Sequence, residues 1–457
     1  MMSVWKSLKE TFYPPAPEPL GKGMFHYMTP NGAEDRFRLH LRVEDDGEGI
    51  LVINAAKVLH LNQTATEHAK LILEDKDVDT AVKEMRRRYK VPPDTVRKDH
   101  EHLKDTILTL ATTDDICPIS YLDVQRIEPF DTPVSAPYRM DLALTYRCNA
   151  DCGHCYVGRP RDMESLSTEE WKQVIEKLWD LGIPHVVFTG GEATLYPDLA
   201  ELIRHAEDVG LVSGVLTNGI KLADDDYLQD LVDAGLDHIQ ITLESHDEKI
   251  HNQMVGADSW KQTVQGIKNA VATDVYTITN TTLTTLNAPD IEETIDFLAE
   301  FGIQTFACNS LIYTGRGPSS GIGIPEEELE GLMVRVRDKG MASGMRLIWY
   351  TPTQYCEFHP VQLELGAKFC TAARYNMCVE PSGDVIPCQS YYSSLGNILR
   401  DDWETIWNHR DALAIRNREW VMEKCQSCDD LPLCGGGCPL YLVNKGTLCV
   451  ESTSTAV

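Results

Sequence analysis

The stretch Cys148-Asn149-Ala150-Asp151-Cys152-Gly153-His154-Cys155-Tyr156 follows a strand-like run from Met140 to Thr145, and it constrains the chain more than any other segment. Thiolates are the ligands that iron–sulfur clusters use, so thiols spaced Cys-x3-Cys-x2-Cys in one short loop suit three irons of a cubane cluster. The fourth iron is then left without a protein ligand, and such a vacancy is how a metal site keeps room for chemistry. A zinc knuckle and a disulfide framework are the competing readings. Zinc wants a fourth Cys or His at matching spacing, and His154 sits inside the loop, poorly placed to close a tetrahedron.

The disulfide reading turns on the compartment. The run from Met1 to Gly23 has no apolar core flanked by basic residues, and no later stretch approaches the ~18 consecutive apolar residues of a membrane span. A cytoplasmic protein is the expectation, and the cytosol keeps thiols reduced, so fourteen cysteines argue for metal clusters. The composition, 42% hydrophobic and 25% charged, is that of a soluble globular protein, and 457 residues suffice for two to four domains. A net charge of −28 disfavours nucleic acid and anionic membranes as partners.

From Met140 onward strand and helix patterns alternate. Strands are predicted at 140–145, 185–189, 213–217, 238–243, 276–283 and 304–311, and helices at 168–181, 198–209, 225–234, 260–272, 288–301 and 326–339. Ser167 with Glu170 forms a capping box that starts the first helix. Six consecutive β-α units imply a parallel sheet with right-handed crossovers, closed or nearly closed as a partial (β/α)6 TIM-like barrel. Function gathers at the C-terminal ends of such strands. The cysteine loop ends the first, Gly190-Gly191-Glu192 the second, Thr217-Asn218-Gly219 the third, and Thr242, Glu244 and Ser245 the fourth.

The cysteine spacing, the aromatic Tyr156 directly after the third Cys, and Thr189-Gly190-Gly191-Glu192 one helix and strand later resemble the radical SAM enzymes. The resemblance implies that Cys148, Cys152 and Cys155 are catalytic and hold a 4Fe-4S cluster. It further implies that S-adenosylmethionine (SAM) binds against Tyr156, Gly190, Gly191, Glu192, Asn218, Thr242 and Glu244, the Glu192 region receiving the amino group of the methionine moiety. Many relatives have Ser and Asp where Thr242 and Glu244 stand. The implied chemistry is one-electron reduction of SAM to methionine and a 5'-deoxyadenosyl radical, with the barrel supplying orientation and exclusion of water. His251 and Asn252 are read as shaping their loop, Cys308 as a core thiol, and Thr314-Gly315-Arg316-Gly317 as a turn without a catalytic role.

Beyond residue 350 the chain becomes cysteine-dense. Cys370-x12-Gly383-x4-Cys388, then Cys425-x2-Cys428-x5-Cys434-x3-Cys438, then Cys449, resembles the seven-cysteine signature of SPASM domains, with Pro381-Ser382-Gly383-Asp384 as a hairpin turn. That resemblance implies two auxiliary 4Fe-4S clusters. The inner would take Cys370, Cys388 and Cys438, with its fourth ligand open between Cys356, Cys378 and a vacancy. The outer would take Cys425, Cys428, Cys434 and Cys449. Two zinc ribbons would explain the Cys-x2-Cys pair but not the array that follows a radical SAM barrel.

Ahead of the barrel, strand-like runs at 37–43, 50–54 and 57–62 precede helical patterns at 64–73, 78–89 and 93–110, a winged-helix-like α+β unit. Val52-Ile53-Asn54, Val58-Leu59-His60-Leu61-Asn62-Gln63-Thr64-Ala65, Ala81-Val82 and Arg88-Tyr89-Lys90-Val91 resemble a PqqD-like domain. In that family it recognises ribosomally made precursor peptides, which here would add a strand beside Lys57 to Leu61. The expected organisation is a PqqD-like domain at 24–111, a linker at 112–138 that contains Cys117, the barrel at 139–345 and a SPASM domain at 346–457. The expected function is a radical SAM peptide maturase that makes a crosslink, an epimer or a peptide-derived cofactor. Its partners would be the leader of a precursor peptide and an electron donor such as ferredoxin or flavodoxin. The alternatives are an activator of another protein or its cofactor and, from a different class, an iron–sulfur sensor that binds DNA through Arg86-Arg87-Arg88.

Overall fold

The computed structural model describes residues 18–30, 35–113, 130 and 133–446, so Cys117 and Cys449 lie outside the described residues. The chain divides into two units, Met1–Arg126 and Ile127–Val457.

In the first unit β1 (Gly23–Met28), β2 (Arg38–Val43), β3 (Gly49–Ile53) and β4 (Lys57–Leu61) form an antiparallel meander in that order. Three helices follow: α1 (Gln63–Leu73), α2 (Val78–Arg88) and α3 (Pro93–Thr112). Side chains cap the first two, Asn62 accepting from the Ala65 amide and Asp77 from that of Thr80, while α3 begins on a proline whose missing N–H is not needed there. Alternation along β2 sends Leu39, Leu41 and Val43 into a core shared with Leu51, Ile53, Ala69, Ile107 and Leu110. The reading of the sequence missed β1, whose Phe25 and Tyr27 pack on that core while His26 faces His40 across the register. Both β1 and β4 are sheet edges. The basic triplet does not form a stripe, because Arg88 pairs with Glu67 at 2.7 Å and Arg87 with Glu84 at 3.2 Å.

The second unit is built on one nine-stranded sheet. β5 (Arg139–Thr145), β6 (His185–Gly190), β7 (Val212–Thr217), β8 (His238–Thr242), β9 (Tyr276–Leu283) and β10 (Thr305–Ser310) run parallel in sequence order. The crossover helices include α4 (Thr168–Asp180), whose capping box has both of its reciprocal bonds. Met140, Leu142 and Leu144 face the helix layer, as do Ile239, Ile241 and Phe306. Cys308 is fully buried in that same layer, on the face away from Thr242 and Asn280. A short helix unanticipated from the sequence, α5 (Glu248–Val255), follows β8.

Two additions extend the sheet. β11 (Arg346–Trp349) pairs parallel with β10, and β12 (Asn376–Val379) pairs parallel with β5 on the opposite edge. β13 (Val385–Ile386) then turns back on β12 through the Pro381–Asp384 hairpin. The segment expected to form a separate domain from 346 onward thus contributes strands at both ends of the barrel sheet, because β5 and β10 would otherwise present unpaired backbone edges.

Candidate active site

The cysteine loop leaves the C-terminal end of β5 and is held from three sides. The Gly191 and Glu192 amides donate to the Thr145 and Arg147 carbonyls at 2.7 and 2.9 Å. Asp151 and Gly153 donate to the carbonyls of Val255 and Met254 at the end of α5, and the Arg316 amide donates to the Cys155 carbonyl at 2.8 Å. Glycine is obligatory at the first contact: a Cβ on Gly190, whose φ is +141°, would lie 2.1 Å from the Thr145 oxygen, and one on Gly191 would lie 2.4 Å from that of Tyr146.

The three thiols act on one another. Burial pushes Cys148 and Cys152 upward, and the neighbouring thiols add to the shift in both. A cavity of about 200 Å³ opens beside them, lined by Cys148, Cys155 and Gly191 together with Arg159, Arg161 and Arg316. Among the described residues no three His, Cys, Asp or Glu side chains converge as they would on a single ion, which for zinc needs each sulfur about 2.3 Å from the metal. Thiols spread round a loop beside an open cavity fit a cluster that offers each its own iron.

The flanking strand ends are cross-linked by buried carboxylates. Glu192 Oε1 accepts from Thr194 N, Thr194 Oγ1 and Thr217 Oγ1, and its Oε2 accepts from Asn218 N at 2.8 Å. Its carboxylate therefore braces β6 against β7, leaving the glycine backbone before it to face the cavity. Asn218 Nδ2 reaches Asn149 of the cysteine loop at 2.7 Å. Thr242 lies on the lumen face of β8, opposite Asn280 in the register.

Glu244, read from the sequence as a nucleotide contact, is engaged within the protein. Oε1 meets His154 Nε2 at 3.0 Å and Oε2 accepts from Thr282 N at 2.8 Å, with both side chains of the His–Glu pair buried. Burial alone would lower the His154 pKa; the Glu244 carboxylate outweighs it and holds it raised. The sequence reading missed this pair, and its one signal was a histidine between the second and third cysteines. His251 accepts from the Glu244 amide at 3.3 Å, with burial pulling its pKa down to about 4, and Asn252 accepts from Ser259 and Trp260. Both shape the loop.

Tyr156 points toward the C-terminal segment. Its hydroxyl donates to Gln389 Oε1 at 3.2 Å, beside Cys388, and its carbonyl accepts from Tyr392. Below it, Tyr146 and Arg159 both donate to the buried Glu380, Arg159 through two nitrogens at 2.8 and 3.1 Å.

The distal cysteines fall into two neighbourhoods. Cys438 and Cys388 raise Cys370, Cys438 also raises Cys388, and burial lifts all three, Cys388 to about 12. Cys434 lies 3.5 Å from the Tyr355 amide and 3.6 Å from the Thr353 carbonyl, and the thiols it feels are Cys356 and Cys425. Cys428 follows one turn after Cys425 and is exposed. Cys356, considered from the sequence as a fourth ligand of the inner set, thus stands with Cys425 and Cys434, because residues 353–355 pack against the Cys434 turn. Consecutive left-handed glycines, Gly435, Gly436 and Gly437, make that turn, and a Cβ on Gly437 would lie 3.0 Å from Gln354. Cys378, the other candidate, is fully buried on β12 and donates toward the Val379 carbonyl, with Asp141 and Glu380 as its charged neighbours.

Family models match three segments: the Radical SAM superfamily at residues 142–298, an iron–sulfur cluster-binding domain of the SPASM type at 370–429, and Coenzyme PQQ synthesis protein D (PqqD) at 49–107. The chain is 27% identical over 317 residues to a PqqA peptide cyclase of Rhizobium meliloti, covering 66% of this chain and 82% of the relative. A PqqA peptide cyclase of Xanthomonas campestris is 28% identical over 319 residues, covering 67% and 82%. Among solved structures, Streptococcus suis SuiB bound to its precursor peptide SuiA superposes with a TM-score of 0.64 at 17% identity, over 86% of this chain and 93% of that one. The enzyme anSMEcpe with bound AdoMet and a peptide superposes at 0.54 and 18% identity, over 67% and 90%. At these identities the superpositions establish the fold.

Proposed function

We infer, for a chain that belongs to the radical SAM superfamily and joins to that barrel a SPASM segment and a PqqD-like segment, that it modifies a ribosomally made precursor peptide by radical chemistry. The observation that carries the reading is the cysteine loop itself, seated at a strand's C-terminal end beside an open cavity. When bound, a 4Fe-4S cluster and SAM supply a 5'-deoxyadenosyl radical able to take a hydrogen atom from the peptide.

The chain's own residues bind, orient and exclude water. Cys148, Cys152 and Cys155 are the proposed iron ligands. The Gly190–Gly191 backbone, Asn218 and Thr242 line the nucleotide's side, Glu192 keeps the two strand ends at fixed spacing, and Glu244 acts through His154 to hold the loop. Tyr156 joins this loop to the segment of Cys388. Cys370, Cys388 and Cys438 are proposed to hold an inner auxiliary cluster, and Cys425, Cys428, Cys434 and Cys449 an outer one, with Cys356 beside it.

The peptide's leader is proposed to add to the exposed edge of β4, where backbone donors and acceptors are available for strand addition. The relatives' peptide substrates support this partner class, and SuiB is crystallised with its precursor peptide. Among the described residues no helix is long and apolar enough to cross a membrane. A small electron donor such as ferredoxin or flavodoxin, and a cytoplasmic site of action, complete the reading.

Anaerobic reconstitution with iron, sulfide and a reductant tests it. The protein should convert SAM to 5'-deoxyadenosine, and the triple variant with Ala at 148, 152 and 155 should not. Equal product from both would end the assignment.

A further inference from the structure

We infer that Cys356 supplies the fourth thiolate of the outer auxiliary centre, beside Cys425, Cys428 and Cys434, in the place given above to Cys449. The inference rests on the function proposed above and names a metal ligand that the spacing of the C-terminal cysteines does not point to.

The backbone holds this thiol against the outer set. The Gln354 carbonyl accepts from the Glu357 and Phe358 amides at 2.8 and 2.9 Å, so Cys356 sits inside a closed turn. Both residues that flank it are tied to the segment carrying the other three thiols. The Tyr355 amide donates to Cys434 Sγ at 3.5 Å, and the Glu357 carboxylate accepts from Lys445 Nζ at 2.7 Å. A further tie follows at His359, whose Nε2 lies 3.7 Å from Asp430 Oδ1. The base of the turn is fixed as well: the Gln354 amide donates to the buried Glu326 at 2.8 Å, and Thr353 Oγ1 donates to the Phe358 carbonyl at 3.1 Å. Cys356 cannot leave the neighbourhood of Cys434 without breaking these bonds.

Electrostatics agrees with that placement. The thiol that acts on Cys356 is Cys425, and those that act on Cys434 are Cys356 and Cys425. The Lys424 ammonium favours the thiolate of Cys356, which is the form that binds metal. Cys370 and Cys388 feel Cys438 instead. Four thiols match the four irons of one cubane. Cysteine is among the most buried residue types, yet Cys356 and Cys428 are exposed and Cys425 is half-buried, while Cys434 is buried. Ligation at the surface of the unit accounts for two exposed thiols held on fixed turns.

The test uses the full-length protein, reconstituted anaerobically and compared with its iron-free form. Alkylation by iodoacetamide is followed at each cysteine by peptide mass spectrometry. A ligated thiolate is shielded until the metal is gone, so Cys356 should label about tenfold more slowly in the holoprotein, and Cys449 should label alike in both forms. Iron is then counted on two variants: Cys356→Ala should fall from about twelve to about eight per chain, and Cys449→Ala should stay near twelve. Equal labelling of Cys356 in the two forms, full iron in Cys356→Ala, or about four irons lost from Cys449→Ala would each overturn the assignment. Labelling of the wild type needs no substitution, so it decides the matter even where Cys356→Ala fails to fold. Iron and 5'-deoxyadenosine are recorded on the same wild-type samples. A protein that holds about twelve irons and cleaves SAM, yet labels Cys356 freely, sinks this ligand alone, and one lacking iron sinks the parent reading too.

Discussion

In the loop after β5, Cys148, Cys152 and Cys155 are neighbours in sequence and neighbours in space, whereas Cys370, Cys388 and Cys438 meet only because separate segments fold together. The first set is gathered by chain connectivity, since a residue advances the chain by at most about 3.6 Å. The second is gathered by packing: β12 docks on β5, and a left-handed glycine run wraps Cys434–Cys438 against residues 353–355. A local site survives damage elsewhere. A non-local site is itself part of what holds the fold, so metal binding and folding are linked there.

The sharpest way to break that contrast is to remove one thiol from each set. Replacing Cys152 with Ala should abolish 5'-deoxyadenosine formation and lower bound iron from about twelve to about eight per chain, with little change in thermal midpoint. Product is read by chromatography and iron by chelation. Replacing Cys438 with Ala should also remove about four irons, but the midpoint of the holoprotein should fall by several degrees. Equal midpoints for the two variants would show that both sites are equally independent of the fold.

A smaller effect sharpens the local side of the comparison. The His154–Glu244 pair is buried, and removing one partner strands the other, so Glu244→Ala should cost about 3 kcal/mol in urea unfolding of the apoprotein. A cost near zero would mean that the backbone bonds alone hold the loop.

The smallest effect concerns the non-local side. Glu326 is buried, accepts from the Gln354 amide at 2.8 Å, and is pushed by burial from 4.5 to about 8. The folded state therefore keeps a proton that the unfolded chain has released. Stability from this group is full below pH 4.5 and is lost progressively as pH rises from there through about 8. Glu326→Gln should flatten the profile between those limits, and an unchanged slope in pH-dependent urea titrations would refute the assignment.

Much of the architecture was legible without coordinates. Six strand patterns and their helices fall within a few residues of the observed elements, because burial on one face imposes the helical period and full burial gives the parallel strands their apolar runs. β1 was not legible: Gly23 to Met28 carries no distinctive signal until β2 lies beside it. Nor was the partner of Glu244, since its bond to His154 spans the barrel from the first strand end to the fourth.

Taken alone, the amino-acid order settled which chemistry the chain carries, because short cysteine spacings and a glycine pair in a tight turn are conditions that nearby residues impose on one another. Tertiary structure decided which distant groups share a site: Cys356 beside Cys425 and Cys434, β12 on the edge of β5, and two arginines on Asp151. Such meetings depend on packing free energy summed over the whole unit, which no local stretch of sequence contains.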